Sequence, residues 1–319
     1  MIAEEVKKRV RSILIPSART YLRYAPIAFG KRTLWNQVVG PRLSWASHAF
    51  DARTTFGSRI RGNTVDHIQR YLYYFGVWEP HITRWISASL REGDVFVDVG
   101  ANLGYYSLLA ATRVGQRGQV VAIEASPAIF GDLQANLARN QVTRVRAINV
   151  AVADRAGRVK VFQAPHDKVG TTTIVPDNAE RGSAFTVEGE VDAAPLGALL
   201  TEEEILRVRI IKIDVEGAEL VVTRGLIDLL PRLPPAAELI IEVAPDRLGT
   251  GGESAATIME IFAKAGYFPY AVPNEYSADD YLPPARVVAP SRIRGPLLKQ
   301  TDVVFSRTDA EALPLSSAA

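Results

Sequence analysis

The stretch VFVDVGANLGYYSLLAA, residues 95–111, runs from a short β-branched segment through a glycine-bounded turn into a helical pattern. Its first five residues are apolar except Asp98, the character of a strand buried on both faces of a parallel sheet. Gly100 and Gly104 let the backbone approach a ligand where a side chain would block it, so the turn reads either as a nucleotide-type loop or as a tight structural turn. The same alternation recurs on the C-terminal side. Strands are expected at QVVAIE (119–124), VRAINVAV (145–152), RIIKIDV (209–215) and AELIIEV (237–243), with helices over 105–114, 127–140, 216–230 and 254–265. Strands that alternate with helices predict an α/β domain on a parallel sheet. YFPYAVP (267–273) and TDVVFSR (301–307) are separated by a proline-rich loop too short for a crossover helix, so they should pair antiparallel. Residues 158–196 interrupt the alternation and read as a strand pair with a long loop, a kind of insertion that often carries substrate contacts.

On the N-terminal side the pattern differs. Ile2, Val6, Val10, Ile13 and Leu14 recur at helical spacing and Pro16 should end that helix. An aromatic and basic stretch with Trp35 and Trp45 follows, then FDARTTFGSRIRGN (50–63), a hairpin pattern around Gly57. Two further helices are expected over 64–76, with Ile68, Leu72 and Phe75 on one face, and over 80–90. The organisation expected is a helical and hairpin extension over 1–90, one main domain over 91–308, and a flexible tail over 309–319.

The 319 residues are 47% apolar and 23% charged, which excludes general disorder. The absence of cysteine excludes disulfides, thiolate metal sites and a cysteine nucleophile. The four histidines include no i, i+4 pair, so no metal site is expected. The first 21 residues show neither a signal-peptide core nor a membrane span, which makes a cytoplasmic protein the expectation. Net charge is +2, yet the first 70 residues hold 13 Lys and Arg against 4 Asp and Glu. A basic leader of this kind fits a solvated helix, an acidic partner or an anionic lipid surface, with peripheral membrane contact through Lys7 to Arg11. The remainder is acidic, which argues against nucleic acid.

Glu124 ends the second strand about 20 residues after Gly104, where a carboxylate can accept both ribose hydroxyls of a nucleotide. A dinucleotide fingerprint would need glycine where Asn102 stands, so NAD is the second choice. Asp98 at the first strand's end would repel a pyrophosphate but suits a cation such as the sulfonium and ammonium of S-adenosylmethionine. It would also serve as a helix N-cap. Asp154, after the third strand, either accepts an adenine amine or forms an Asx-turn in DRAG.

Four strings in order now resemble the FkbM family of S-adenosylmethionine-dependent O-methyltransferases: YFGVWEP (74–80), DVGANLGYYSLLAA (98–111), NVAVADRAG (149–157) and IKIDVEGAE (211–219). The resemblance covers roughly residues 50–305. It implies the class I methyltransferase sheet, a Rossmann-like α/β fold of order 3-2-1-4-5-7-6 with strand 7 antiparallel. It further implies that Gly100, Asn102 and Gly104 meet the methionine portion, Glu124 the ribose and Asp154 the adenine, with Glu79 covering the methionine end and Asp98, Ala101 and Ser126 also in the cofactor site. One departure is visible. The family's Glu-Pro after strand two is Glu124-Ala125 here, ahead of Ser126-Pro127, which should alter only loop stiffness.

Methyl transfer to a hydroxyl needs a group that takes the proton. Asp214, at the tip of strand four, and Glu216 are the candidates, with Lys212 either holding Asp214 ionised or orienting a substrate oxygen. Acids at a helix start also favour its dipole, and Glu219 should do no more than that. Glu242 faces the same edge, either for substrate or in a salt link. Paired acids would suit magnesium, but no third ligand is recognisable. His166 is either a general base or a solvated loop residue, GTTT (170–173) either lines an acceptor pocket through its hydroxyls or forms a turn, and Trp78, Tyr105 and Tyr106 are core or pocket wall. The function expected is O-methylation of a small-molecule, glycan or glycolipid hydroxyl. The alternatives are an NAD-dependent oxidoreductase and a cofactor-binding scaffold without catalysis.

Overall fold

A computed structural model describes residues 2–27, 29–43, 46–163, 172–175, 186–245, 253–274, 280–282 and 288–314, with side chains of the first helix from Ser12 onward. Trp45, His166, Gly170 and Thr171 lie outside the described residues.

The central sheet forms from the runs of buried aliphatic residues. β3 (Val95–Val99), β4 (Gln119–Ile123), β5 (Val145–Ile148), β10 (Val208–Ile213) and β11 (Glu238–Val243) are parallel. β14 (Thr301–Ser306) pairs antiparallel with both β11 and β12 (Phe268–Val272), and the two-residue β13 (Ser291–Arg292) adds an edge. The order is β13-β12-β14-β11-β10-β3-β4-β5. Apart from β13, that is the 3-2-1-4-5-7-6 sheet with its seventh strand reversed. The direction of the winding changes between β3 and β10, which places a crevice at their carboxyl ends.

Each face of the sheet is covered by its own core. One holds Phe96, Val120 and Ile210 against α5 (Tyr105–Arg113) and α6 (Pro127–Arg139), and extends without a break to the N-terminal elements through Trp35, Tyr74 and Trp85. The other holds Val97, Ile211 and Ile241 with Leu196 of α7 (Leu196–Leu199) and Ile205 of α8 (Glu202–Arg207), against α9 (Glu219–Gly225) and α10 (Glu253–Lys264). The segment before residue 90 therefore shares its core with the sheet. Its elements are α1 (Ile2–Tyr24), α2 (Lys31–Leu34), a π-helical segment Trp35–Leu43, the hairpin β1 (Ala49–Arg53) and β2 (Arg59–Asn63), α3 (His67–Phe75) and α4 (Pro80–Ser89). Asn136 of α6 and Asn140, which ends that helix, accept the backbone N–H groups of Arg61 and Arg59 at 2.9 and 2.7 Å, which pins the hairpin to the main domain.

Three expectations need correction. Pro16 does not end α1, which continues to Tyr24 because Ile15, Ala18 and Leu22 are buried and Arg19 Nε donates to Tyr73 O at 2.8 Å. Tertiary packing here offsets the roughly 3 kcal/mol that an internal proline costs. The run VRAINVAV is not one strand: β5 stops at Ile148, and Ala151–Val152 form β6 in a second sheet. That sheet, of order β6-β9-β7-β8, pairs β7 (Gly157–Gln163) antiparallel with β9 (Thr186–Ala194) and includes β8 (Thr172–Thr173). The start of the expected tail is held: Arg292 N donates to Glu311 O, Leu313 N donates to Pro290 O, and Leu313 is buried.

Candidate active site

Strand β3 ends in a turn whose shape depends on glycine. Gly100 has φ +78°, and a Cβ built on it would lie 1.8 Å from the carbonyl oxygen of Asp214. The tips of β3 and β10 thus meet backbone to backbone, with Asp214 N donating to Val99 O at 3.0 Å and Gly100 N to Ile123 O at 2.9 Å. Gly104, at φ +86°, caps α5 and faces Leu133. Between them Asn102 also takes a positive φ, 50°, which its own side chain supports by accepting Leu103 N at 2.8 Å.

Around this turn opens a cleft. Gly100, Ala101, Asn102 and Glu124 line it from one side, and Lys212, Asp214 and Glu216 from the other. Seven of the residues expected from the sequence are therefore brought together. Val150 and β6 form a third wall, Val161, Thr172 and Thr173 of the second sheet a fourth, and Ile68, Leu72 and Trp78 extend the lining from the N-terminal segment.

Glu124 is buried, and both its oxygens are held by main chain: Asn102 N donates to Oε2 and Ser126 N to Oε1, each at 2.9 Å. Burial pushes its carboxyl up to about 7, although those two hydrogen bonds act in the other direction. Lys212 is also buried and donates to Asp214 Oδ2 at 2.8 Å, with its ammonium 4.7 Å from the centre of the Tyr106 ring. Burial alone would lower the Lys212 ammonium, but the carboxylates of Asp214, Glu79 and Asp98 outweigh it and hold the group raised.

Five expected residues, Asp98, Glu79, Ser126, Asp154 and Gly104, do not line the cleft. Asp98 is cross-strand neighbour to Lys212 and accepts Ser107 Oγ in the first turn of α5 at 2.6 Å. Burial raises its carboxyl. The N-cap of α5 is Gly104, so Asp98 anchors that helix from below instead. Glu79 accepts Tyr106 OH at 2.5 Å and Asn274 Nδ2 at 3.3 Å, and burial pushes it up to about 7. Ser126 caps α6 by accepting Ile129 N, with Pro127 as the first helical residue, and its hydroxyl donates to Glu188. Asp154 is exposed: β5 ends at Ile148, so Val150, not Asp154, stands at that strand's tip. Gly104 itself faces Leu133.

Of the other acids, Glu219 accepts Gly217 N at 3.0 Å at the start of α9, and burial pushes it up to about 7. Glu242 is buried and accepts Gln300 Nε2. Among the described residues no group of three or more His, Cys, Asp or Glu is arranged to hold a metal ion. The sequence reading missed Ile68 and Leu72 as cleft residues. Their i, i+4 spacing marks an apolar face without telling whether the face meets core or cavity.

The family described as Methyltransferase FkbM domain matches residues 98–269, more than half of the chain, and includes every strand tip around the cleft. The chain belongs to the FkbM methyltransferase family. Curated relatives agree. The 31-O-demethyl-FK506 methyltransferase FkbM of Streptomyces tacrolimicus is 31% identical over 195 residues, 52% of this chain and 74% of that protein. Methyltransferase sdnD of Sordaria araneosa is 26% identical, covering 52% and 73%. Hexuronic acid methyltransferase AglP of Haloferax volcanii is 25% identical, covering 55% and 66%.

As an FkbM-family methyltransferase, the chain uses S-adenosylmethionine, and the cleft suits it. Gly100 lets the turn close against the Asp214 main chain, which leaves no room for a Cβ, Glu124 offers a fixed carboxylate able to accept hydroxyl donors, and Glu124, Asp214 and Glu216 make the lining acidic. The NAD alternative falls with this assignment, because its pyrophosphate would meet those acids while Lys212 is already paired with Asp214.

Proposed function

We propose that this methyltransferase transfers its methyl group to a hydroxyl oxygen of a small molecule or glycan, with Asp214 as the proton acceptor. The reading rests on the Lys212–Asp214 pair, which lines the cleft at the tip of β10 against the Gly100 turn. When bound, S-adenosylmethionine supplies an electrophilic methyl group. The chain's own task is to position an oxygen and take its proton. Asp214 is about a quarter exposed, enough to reach a substrate, while Lys212 fixes one of its oxygens. Glu216 lines the same mouth and adds a second carboxylate for orienting the acceptor. Thr172 and Thr173 bring hydroxyls to the facing wall, where they can bind polar groups of the acceptor. The names of two relatives support an oxygen acceptor on such molecules, one specifying a 31-O position and the other a hexuronic acid.

The test is transfer of labelled methyl to a panel of hydroxyl compounds, including hexuronic-acid glycans and O-demethylated macrolides. Asp214→Asn should lower the rate about 10²–10⁴-fold while S-adenosylmethionine affinity stays near that of the wild type. The labelled product should survive mild alkali, as an ether does and an ester does not. An Asp214→Asn enzyme as fast as the wild type refutes the assignment, and cofactor binding without transfer to any hydroxyl favours the scaffold reading.

A further inference from the structure

Helix α1 has two apolar sides. Ile15, Ala18 and Leu22 are buried against the rest of the protein, whereas Ile13, Leu14 and Tyr24 are exposed, Ile13 by 67%. At 3.6 residues per turn, Ile13 and Tyr24 fall on the side opposite the buried stripe. The sequence carries that register back through Val10, Val6 and Ile2. After the helix, Ile27 and Phe29 are exposed as well, Phe29 with 86% of its surface. Of the ten large apolar residues exposed among the described ones, five lie between 13 and 29, so this is a cluster and not the usual scatter.

The patch is held firmly. Arg19 Nε donates to Tyr73 O, Tyr21 OH to Phe29 O, and Lys31 Nζ to Ala25 O at 2.7 Å, which fixes both the helix and the turn that follows it. Its setting is basic: residues 1–32 contain eight Lys and Arg, four of them at positions 7, 8, 9 and 11, against Glu4 and Glu5. Among the described residues no helix is long and apolar enough to cross a membrane. An exposed apolar stripe flanked by cations on a helix too polar to span is the pattern of a segment lying in a lipid interface.

We propose that α1 and the turn through Phe29 form a docking surface for an anionic bilayer. Cations draw the helix to the negatively charged leaflet, and Ile13, Leu14, Tyr24, Ile27 and Phe29 enter the boundary between headgroups and acyl chains. The helix is one layer from the cleft, since it packs on α3 and α3 supplies Ile68 and Leu72 to the cleft wall. The inference does not depend on which oxygen the enzyme methylates.

Flotation of the full chain with vesicles tests it, using phosphatidylcholine alone and phosphatidylcholine with about a third phosphatidylglycerol. The wild type should float at least about tenfold better with the anionic vesicles, and added salt should weaken this. Ile13→Glu/Leu14→Glu and Lys7→Glu/Lys8→Glu should each reduce flotation about tenfold or more. Ile13 and Leu14 are exposed, so that double variant should keep wild-type S-adenosylmethionine affinity, which verifies its fold. No flotation with anionic vesicles, or undiminished flotation of either double variant, overturns the proposal. So does capture by an acidic protein without capture by vesicles.

Discussion

Gly100→Ala is expected to remove measurable S-adenosylmethionine binding and to weaken the fold. The new Cβ would lie 1.8 Å from the Asp214 carbonyl oxygen, a main-chain atom with no rotamer to escape into. Both sides of that contact are tied to the sheet, Gly100 N to Ile123 O and Asp214 N to Val99 O. Relief requires the tips of β3 and β10 to part, which moves Asp214 and opens the crevice that should grip the cofactor. The left-handed conformation adds about 1–2 kcal/mol for a side-chain-bearing residue, and overpacking about 1–3 kcal/mol more. Thermal unfolding should drop by roughly 5–15 °C, and calorimetric titration should show no saturation. Wild-type affinity in the alanine variant would mean that the β3–β10 crevice is not where the cofactor sits.

Lys212→Met should give the other large effect, and its pH dependence identifies the cause. The ammonium is buried among Asp214, Glu79 and Asp98, and it is the main influence drawing the last two carboxyls down against burial. Without it two buried acids lose their counter-charge, a change that costs about 3–5 kcal/mol. Both folded pKa values then rise further above their unfolded ones. An acid raised in the folded state binds its proton more tightly there, so stability is lost as pH climbs from the unfolded toward the folded value. Glu79 is already at about 7 in the wild type. The deficit of the variant should therefore be smallest near pH 5 and grow above pH 7, as read by denaturant unfolding. A deficit independent of pH would assign the loss to packing against Tyr106 instead.

The central sheet is legible because its strands are nearly uninterrupted aliphatic runs, a pattern that burial on both faces demands and that few other structures share. The Gly100 turn and Glu124 are legible for a related reason: a glycine at a strand tip and an acid at the next tip leave little freedom of placement. Asp98 shows the limit. Its position along β3 is correct, but strand alternation does not say whether the residue at the tip faces a ligand or the helix beneath, and Ser107 takes it. Asp154 lies outside the cleft lining although the sequence places it just past a strand: Val150 to Val152 are as apolar as the strand before them, so the bend at Asn149, where that side chain donates to Glu124 O and Ala125 O, leaves no mark in hydropathy. The wall from α3 is a tertiary event between segments far apart in sequence. Pro16 hides the helix's continuation from the sequence for the same reason, since burial of Ile15 and Leu22 decides the path of α1.

The Glu124 carboxylate is expected to grip the hydroxyls of S-adenosylmethionine. Titration calorimetry of the wild type and Glu124→Gln between pH 6 and 8 tests it. Glu124 sits at about 7 and only its ionised form accepts two hydroxyl donors at full strength, so wild-type affinity should rise through that range with release of a proton. Glu124→Gln should bind about 10–100-fold more weakly and lose that rise. Equal affinity in the two proteins, or a pH dependence that survives the substitution, would mean that Glu124 does not hold the cofactor's hydroxyls.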